Sequence, residues 1–380
     1  AEDRISSKQT HDVIRELTEL LQVRHQTLVF GEIYDVDPAM QDLFRNLGCF
    51  KICFKVFDLL ETVEEEDDGS LEDIHENTKQ LVKSCIEMFY WFIKNNPKNQ
   101  ELAFDELEYF FDILEEDIDA SKIIFAIFEN NETAMRKAPL DKIDEMVKAI
   151  CVKGHKPEFL VFLKSILSVG EKNFKDNQFA VVSQVTAPSR LPKISSFLCD
   201  ASDEVYKYKQ ELMKPYLGFK NLQLTELPEE LQYHLNLLDV LSGCTIGRIN
   251  VTALEAKVQS IYEVNSILSC LLDPEALLLV QIKMSLYFFN AVVEVEIMTP
   301  GLEYMRFMWD YIKTFSDVVK ASREELERIA AFGWRDEDAD RHIVEYMLVL
   351  SMIISGFFHR YYYPQDFSLT EGAKVIINKD

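Results

Sequence analysis

Thiol and imidazole groups are the side chains of this sequence that could bind a metal ion or act as nucleophile and base. Cys49 and Cys53 are the close pair among seven cysteines, and a spacing of four places both thiols on one face of a helix. No second thiol pair or histidine pair completes a zinc site. We therefore predict buried, reduced thiols and a cytosolic environment, with metal ligands unknown. The histidines occur singly: His11, His25, His75, His155, His234, His342 and His359.

Motifs of known enzyme classes are missing from the sequence. It has no Gly-rich phosphate loop, GxSxG, HExxH or CxxC. The nearest cysteine and histidine combinations, Cys151 with His155 and His234 with Cys244, have no base or orienting group around them. We therefore predict no catalytic residue and no cofactor-binding residue, and we expect that the protein is not an enzyme.

The acidic run from Glu61 to Asp73 raises the question of calcium binding. If Gly69 took the sixth position of an EF-hand loop, the twelfth would be His75, where a bidentate carboxylate is required. The run therefore fails as an EF-hand, although the first, third and fifth positions would be Glu64, Glu66 and Asp68. We predict a solvated charge run, so no motif supports calcium as a cofactor. Two further carboxylate clusters could bind a cation loosely, but a solvated face is favoured for both: Asp112, Glu115, Glu116, Asp117 and Asp119, and Asp336, Glu337, Asp338 and Asp340.

The charge of the chain restricts its partners. Lys and Arg total 40 and Asp and Glu total 65, so the formal net charge is −25. This charge repels phosphate backbones and anionic lipid surfaces, and we expect no nucleic acid partner. The longest apolar run, 343–358, contains Glu345 and Gly356 and is shorter than the roughly 20 residues of a membrane span. We predict a core helix there and no membrane span.

Short amphipathic helices must position all of these groups. Gly (12) and Pro (11) are scarce, and apolar residues recur three and four apart. The pattern predicts an all-α fold, and an armadillo/HEAT-like solenoid of irregular short-helix repeats is the simplest way to bury so many one-sided helices. Helices are predicted at 7–30, 38–47, 50–60, 73–95, 99–114, 121–128, 139–151, 156–169, 177–185, 203–214, 229–241, 274–293, 300–315, 322–332 and 336–363.

A change in composition at Thr186 to Pro192 interrupts the helical pattern and is the best candidate boundary. We predict a helical domain at 1–185, a linker with a connecting helix at 186–228, and a second helical block at 229–363. The tail at 364–380 has little pattern, and we expect it to be extended or disordered.

Residues 98–185 resemble the homology region, called RIH, that is shared by inositol trisphosphate receptors and ryanodine receptors. The matching pieces are Asn99-Gln100 before a helix, an Ile-Phe-x-Asn-Asn turn at 127–131, and a Phe-Leu-x-x-Ile helix followed by Lys172 to Gln178. Upstream, Arg45, Asn46 and Gly48 fit the same family, and downstream so do 233–242 with Cys244 and 282–295.

The resemblance is closer to the inositol trisphosphate receptors. It implies a cytosolic, non-catalytic segment of a tetrameric calcium-release channel of the endoplasmic reticulum, whose partners are other domains and subunits of the channel and regulatory proteins. Such a segment would relay conformational change between the amino-terminal ligand-binding region and the pore, with 186–192 as a hinge. The alternative is a free-standing helical-repeat adaptor or scaffold that binds protein partners.

Overall fold

The computed structural model describes residues 2–27, 31–60, 72–116, 118–197, 204–247, 252–332 and 340–362. These residues are mostly helical, as predicted, and two short antiparallel strand pairs are the β structure among them. The chain divides into two compact units, unit 1 (Ala1–Asn177) and unit 2 (Gln178–Asp380).

Unit 1 is a succession of short helices with two small hairpins. The strands are β1 (Gln22–Thr27) with β2 (Gly31–Val36), and β3 (Ser168–Val169) with β4 (Lys172–Asn173). The helices are α1 (Glu2–Leu21), α2 (Pro38–Asn46), α3 (Cys49–Phe57), α4 (Glu72–Ile93), α5 (Pro97–Asp105), α6 (Leu107–Asp112), α7 (Ser121–Phe128), α8 (Glu132–Arg136), α9 (Leu140–Lys153) and α10 (Glu158–Ser165). Helix α11 (Lys175–Val185) begins in unit 1 and continues in unit 2.

The predicted helix over 7–30 is wrong in its second half. Helix α1 ends at Leu21, and β1 then pairs with β2 in a register that places Gln22 opposite Val36. The main-chain N–H of Asp37 donates to Leu21 O at 3.0 Å and closes the hairpin. The Asp37 carboxylate then caps α2 by accepting from the N–H groups of Ala39 and Met40. A hairpin therefore replaces the second half of the predicted helix, and the cap at Asp37 starts α2 where the predicted helix 38–47 begins.

Helix α4 is the centre of unit 1 and packs against α1, α3 and α7. Its last turns are almost entirely buried, as the apolar run Met88 to Ile93 predicted. The Phe89 ring lies edge-on to Phe57 with centroids 5.7 Å apart, and 5.9 Å from Phe110. The predicted helix 99–114 is broken at Glu106 into α5 and α6, which buries both Ala103 and Phe110.

Unit 2 contains the second set of helices. They are α12 (Leu191–Ile194), α13 (Glu204–Met213), α14 (Glu229–Gly243), α15 (Thr252–Gln259), α16 (Val264–Leu271), α17 (Leu278–Phe288), a π-helix (Phe289–Val293), α18 (Arg306–Lys313), α19 (Phe315–Phe332) and α20 (Arg341–Arg360). Short 3₁₀ turns occupy Lys214–Tyr216, Leu224–Glu226 and Leu302–Tyr304.

The predicted helix 274–293 is wrong at both ends. The Asp273 carboxylate accepts from the N–H of Glu275 and forms a turn, so α17 begins at Leu278. After Phe288 the backbone continues as the π-helix, against which Gly356 of α20 packs closely. A Cβ atom at Gly356 would lie 2.8 Å from Val293 Cγ1. The glycine thus allows the two helices to approach.

Helix α20 is the one helix in the described part of the chain that is long and apolar enough to cross a membrane. One face packs against α17 and α19 and buries Tyr346, Leu350 and Phe357. On the other face Leu348 and Met352 are exposed.

The segment 186–228 contributes to the core of unit 2. Tyr206, Lys209 and Met213 of α13 are buried, and Ile194 of α12 is buried with its carbonyl accepting from the Tyr233 hydroxyl at 2.9 Å. The segment therefore packs with the helices that follow it.

Candidate functional site

His11 of α1 and Ser84 of α4 meet beside a cleft of about 490 Å³ in unit 1. His11 Nδ1 lies 3.1 Å from Ser84 Oγ. The serine hydroxyl donates to Gln80 O at 3.0 Å, so the imidazole N–H is the donor between the two side chains. A nucleophilic serine needs the opposite arrangement, with a base that accepts its proton. The contact therefore joins two helices and does not activate the serine.

His234 of α14 is fully buried in unit 2. Its Nδ1 lies 3.1 Å from Ser196 Oγ, and its Nε2 lies 3.4 Å from Lys209 Nζ. Burial, and then the charge of Lys209, hold the pKa of His234 well below its usual range. The imidazole is therefore a neutral core group near pH 7.

The carboxylates of the 112–119 cluster lie at the surface beside lysines. Their ion pairs are with residues of α4, α7 and α9: Glu115 with Lys153, Glu116 with Lys79, and Asp119 with Lys83 and Lys122. Within the described ranges, no three His, Cys, Asp or Glu side chains are grouped so that they could hold a metal ion. The acidic run at 61–71, Asp117 and 336–338 lie outside the described residues, and their interpretation stays a prediction. Asp340 caps α20 by accepting from His342 N at 3.1 Å.

Three buried glutamines share a hydrogen-bonding pattern that we call the glutamine clasp. In each clasp the side-chain amide nitrogen donates to two main-chain carbonyls, three residues apart, at the end of a helix. Each of the three glutamines is at most 1% exposed. The clasps are Gln41 to Trp91 O (2.8 Å) and Lys94 O (2.9 Å), Gln100 to Ala126 O (2.7 Å) and Glu129 O (2.8 Å), and Gln178 to Gly243 O (2.8 Å) and Ile246 O (3.1 Å).

The clasps supply hydrogen-bond donors to main-chain carbonyls at helix ends. The last four carbonyls of a helix have no partner within the helix, and a buried carbonyl without a hydrogen bond costs about 1–3 kcal/mol. A primary amide carries two N–H donors and can satisfy two of these carbonyls at once without adding charge. A glutamine from a distant helix therefore allows α4, α7 and α14 to end inside the protein.

Asparagines complete two of the three clasps. Asn131 Nδ2 donates to Gln100 Oε1, and Asn96 Nδ2 donates to Gln41 Oε1, each at 3.1 Å. The Gln178 oxygen, in contrast, is buried without a hydrogen-bond partner among the described residues. The Gln100 clasp thus has both ends of its amide satisfied, while the Gln178 clasp has one.

Asn99, next to Gln100, also donates a side-chain hydrogen bond to a main-chain carbonyl at the end of α4. Its Nδ2 donates to Phe92 O at 2.7 Å, and its Oδ1 accepts from Arg45 Nη1 at 2.8 Å. Asn96 is the N-cap of α5 and accepts from the N–H of Asn99. The short sequence from Asn96 to Gln100 therefore starts one helix and helps to close others.

A second cleft, of about 330 Å³, lies beside Asn177 and is lined by Arg136, Lys172 and Lys175. The Asn177 side chain donates from Nδ2 to Met135 O at 3.0 Å and to Ile166 O at 2.9 Å. Lys172 and Arg136 both bond to Glu132, and these bonds lower the pKa of its carboxyl. Because two of the three cations share one carboxylate, the cleft has little excess positive charge.

The sequence signal for the clasps is an amide residue in the first or second turn of a helix that follows a Pro or Asn break. Gln41 and Gln100 have this position, after Pro38 and Pro97. Gln100 was predicted as a motif residue and Gln41 was not, and the carbonyl partners of both lie 26 or more residues away in the chain. The sequence therefore marks one of the two residues and the role of neither.

The family model of the RIH domain matches residues 17–190. Residues 17–190 are therefore an RIH-type segment. The inositol 1,4,5-trisphosphate receptor itr-1 of Caenorhabditis elegans is 24% identical over 237 residues, which make up 59% of this chain and 7% of that receptor. This chain thus spans a small part of its relative's length. The predicted resemblance is confirmed.

The RIH-type segment supplies the glutamine of every clasp described above, since Gln41, Gln100 and Gln178 all lie within 17–190. The motif pieces Asn99-Gln100 and Asn131 are the same buried amides. The residues that carry the RIH resemblance therefore hold helix ends in place.

Proposed function

We propose that this chain is a non-catalytic regulatory and structural segment of an intracellular calcium-release channel at the cytosolic face of the endoplasmic reticulum. The RIH domain and the similarity to a nematode inositol 1,4,5-trisphosphate receptor support the proposal. Its partners would be other domains and subunits of the same channel. Within the channel, the segment would relay conformational change between the ligand-binding region and the pore.

The observation that carries the proposal is the set of glutamine clasps. A segment that transmits movement must resist local fraying, because a frayed helix end absorbs displacement. Each clasp fixes a helix end by two hydrogen bonds from a glutamine that is at most 1% exposed. Unit 1, which contains the Gln41 and Gln100 clasps, would thereby move as a stiff body.

The same proposal includes an irregular armadillo-like stacking of short helices within each unit. In unit 1, α9 packs on α10, α10 packs on α7, and α7 packs on α4 and α5. Contacts of this kind between successive layers of helices are the basis of a solenoid.

The decisive experiment weakens one clasp in the full-length channel. Gln100→Ala leaves Ala126 O and Glu129 O without a donor, so we expect the ligand concentration for half-maximal calcium release to rise several-fold while ligand binding is unchanged. The matched control is Gln80→Ala, because the Gln80 amide bonds at an exposed site to Glu76. A folded Gln100→Ala channel with normal ligand binding and normal calcium release would contradict the relay.

A distance measurement tests for a hinge between the two units, whose division at Asn177 lies before the predicted position 186–192. Spin labels at Val152 in unit 1 and Phe219 in unit 2 use positions that are 83% and 66% exposed. We expect the distance between these labels to change when the channel binds inositol trisphosphate, while a control pair within unit 1, Leu47 with Val152, keeps its distance. An unchanged distance between the first pair would remove the hinge, and a free-standing adaptor would show no response to the ligand at all.

A further inference from the structure

Unit 1 gathers three cysteine thiols from two helices at one place. Cys49 and Cys53 lie on successive turns of α3, with their Sγ atoms 3.8 Å apart. Cys85 of α4 reaches the same place and interacts with the Cys53 thiol. All three are free cysteines. The sequence shows the spacing of the first two, but only the packing of α3 on α4 adds the third.

The three thiols differ in their access to solvent. Cys53 and Cys85 are 0% and 1% exposed, whereas Cys49 is 7% exposed and is the first residue of α3. Its position follows Gly48, the N-cap residue, which makes no side-chain hydrogen bond to the helix start. A thiolate is favoured at a helix N-terminus because the free N–H groups there carry partial positive charge.

The interactions within the cluster divide the thiols further. A hydrogen bond from Cys53 lowers the pKa of the Cys49 thiol. The pKa of Cys53 is raised by its contacts with Cys49 and Cys85 and by burial. Cys49 is also the more exposed of the two and lies at the start of α3, so it is the better nucleophile, and Cys53 keeps its proton beside it.

We propose that Cys49 is a site of reversible oxidation by a hydroperoxide, with Cys53 as the resolving thiol that converts it into a disulfide. This modification site is independent of the relay function, since it requires only unit 1.

Two steps account for the chemistry. The Cys49 thiolate attacks one oxygen of hydrogen peroxide, so that an S–O bond forms, the O–O bond breaks, and hydroxide leaves to become water. The sulfur of Cys53 then attacks the sulfur of the sulfenic acid. The S–S bond forms, the S–O bond breaks, and the departing hydroxide takes the proton of Cys53 as water. Two thiols and one peroxide thus give one disulfide and two waters.

Closing the disulfide changes the start of α3. A disulfide brings the Cβ atoms to about 3.5–4.5 Å, whereas residues four apart on a helix have Cβ atoms about 5–6 Å apart. The first turn of α3 must therefore unwind when the bond forms. Gly48, with φ of 80°, is the flexible point that precedes it. Oxidation is thus expected to loosen α3, and reduction to restore it.

The test uses the reduced full chain, limiting hydrogen peroxide, thiol alkylation and peptide mapping by mass spectrometry. We expect an internal disulfide between Cys49 and Cys53, with Cys85 still open to alkylation after denaturation. Cys49 should react at least about tenfold faster than the fully buried Cys244, because thiolate character and access set the rate.

Variants separate the two roles. Cys53→Ser should stop the reaction at a sulfenic acid on Cys49, which dimedone captures, and Cys49→Ser should abolish both products. Cys151→Ser, at a half-buried cysteine of α9, is the matched control and should change neither. Mapping of the wild-type chain needs no variant and decides the matter if a variant does not fold. Equal rates for Cys49 and Cys244, or a Cys53–Cys85 disulfide with Cys49 unreacted, would overturn the proposal.

Discussion

The two units bury polar groups of different kinds. Both bury amides, and unit 1 also buries Lys142, but unit 2 buries three acidic or basic side chains, of which Lys209 and His234 touch each other. The third is Glu255, whose carboxylate accepts from the N–H groups of Glu296 and Ile297. The amides buried in unit 1 are Gln41, Asn99, Gln100, Asn131 and Asn177.

This difference should affect how the stability of each unit changes with pH. An amide has no charge at any ordinary pH, so the hydrogen bonds of the Gln100 clasp should be insensitive to acid. A buried imidazole such as His234 stabilises the fold only while it is neutral. The stability of unit 1 should therefore depend on how its helices pack, and the stability of unit 2 on packing and on the protonation state of His234.

The largest expected effect is the loss of a fully satisfied clasp. Gln100→Ala should lower the free energy of unfolding by roughly 2–5 kcal/mol, because two buried carbonyls lose their donor and Asn131 loses its acceptor. Urea unfolding followed by circular dichroism would measure the change, and hydrogen exchange at the end of α7 would locate it. Gln80→Ala, with its exposed bond to Glu76, should change little. A loss below about 0.5 kcal/mol for Gln100→Ala would show that water replaces the clasp.

Acid should destabilise unit 2 more than unit 1. The folded pKa of His234 lies below the ordinary value of 6.5, so the unfolded chain binds a proton that the folded chain refuses. Stability from this group is therefore complete above about pH 6.5 and falls by about 1.4 kcal/mol per pH unit below it, until the folded pKa is reached.

Native-state hydrogen exchange at about pH 7 and pH 5.5, corrected for intrinsic rates, would compare α14 with α7. Protection of α14 should fall with acid and that of α7 should not, and His234→Asn should remove most of the difference. Equal acid sensitivity of the two helices would break the distinction between the units.

The smallest effect is expected from surface charge. Lys122 pairs with Glu87 at 2.9 Å and with Asp119 at 3.5 Å, and all three side chains are well exposed. Lys122→Ala should cost less than about 1 kcal/mol of unfolding free energy, and the cost should shrink in high salt. A loss above about 2 kcal/mol, measured in the same urea titration, would mean that charges and not amides hold unit 1.

Much of the helical structure could be predicted from the sequence. The predicted helix at 121–128 is confirmed as Ser121–Phe128, and that at 229–241 as Glu229–Gly243. Predictions failed where local hydrogen bonds competed with periodicity, as at 22–27, which forms a hairpin strand in place of a helix, and at Asp273, which forms a turn. Caps and turns of one or two residues decide helix boundaries, and an apolar pattern averages over them.

The candidate site was predicted in part. Asn99-Gln100, Asn131 and Gln178 stood out as motif residues, and the match to the RIH domain supports that selection. Their function as clasps could not be predicted, because a hydrogen bond to a carbonyl 26 or more residues away depends on how whole helices pack.

The sequence by itself determined that the chain is helical, acidic and without an enzyme motif, because composition and periodicity are local properties. The tertiary structure alone decided which groups meet. Gln100 reaches the end of α7, and Cys85 joins Cys49 and Cys53, because burial leaves each polar group or thiol a single set of neighbours. The physical reason is that an exposed amide or thiol can interact with water or with many neighbours, whereas packing that excludes water leaves it one set of partners.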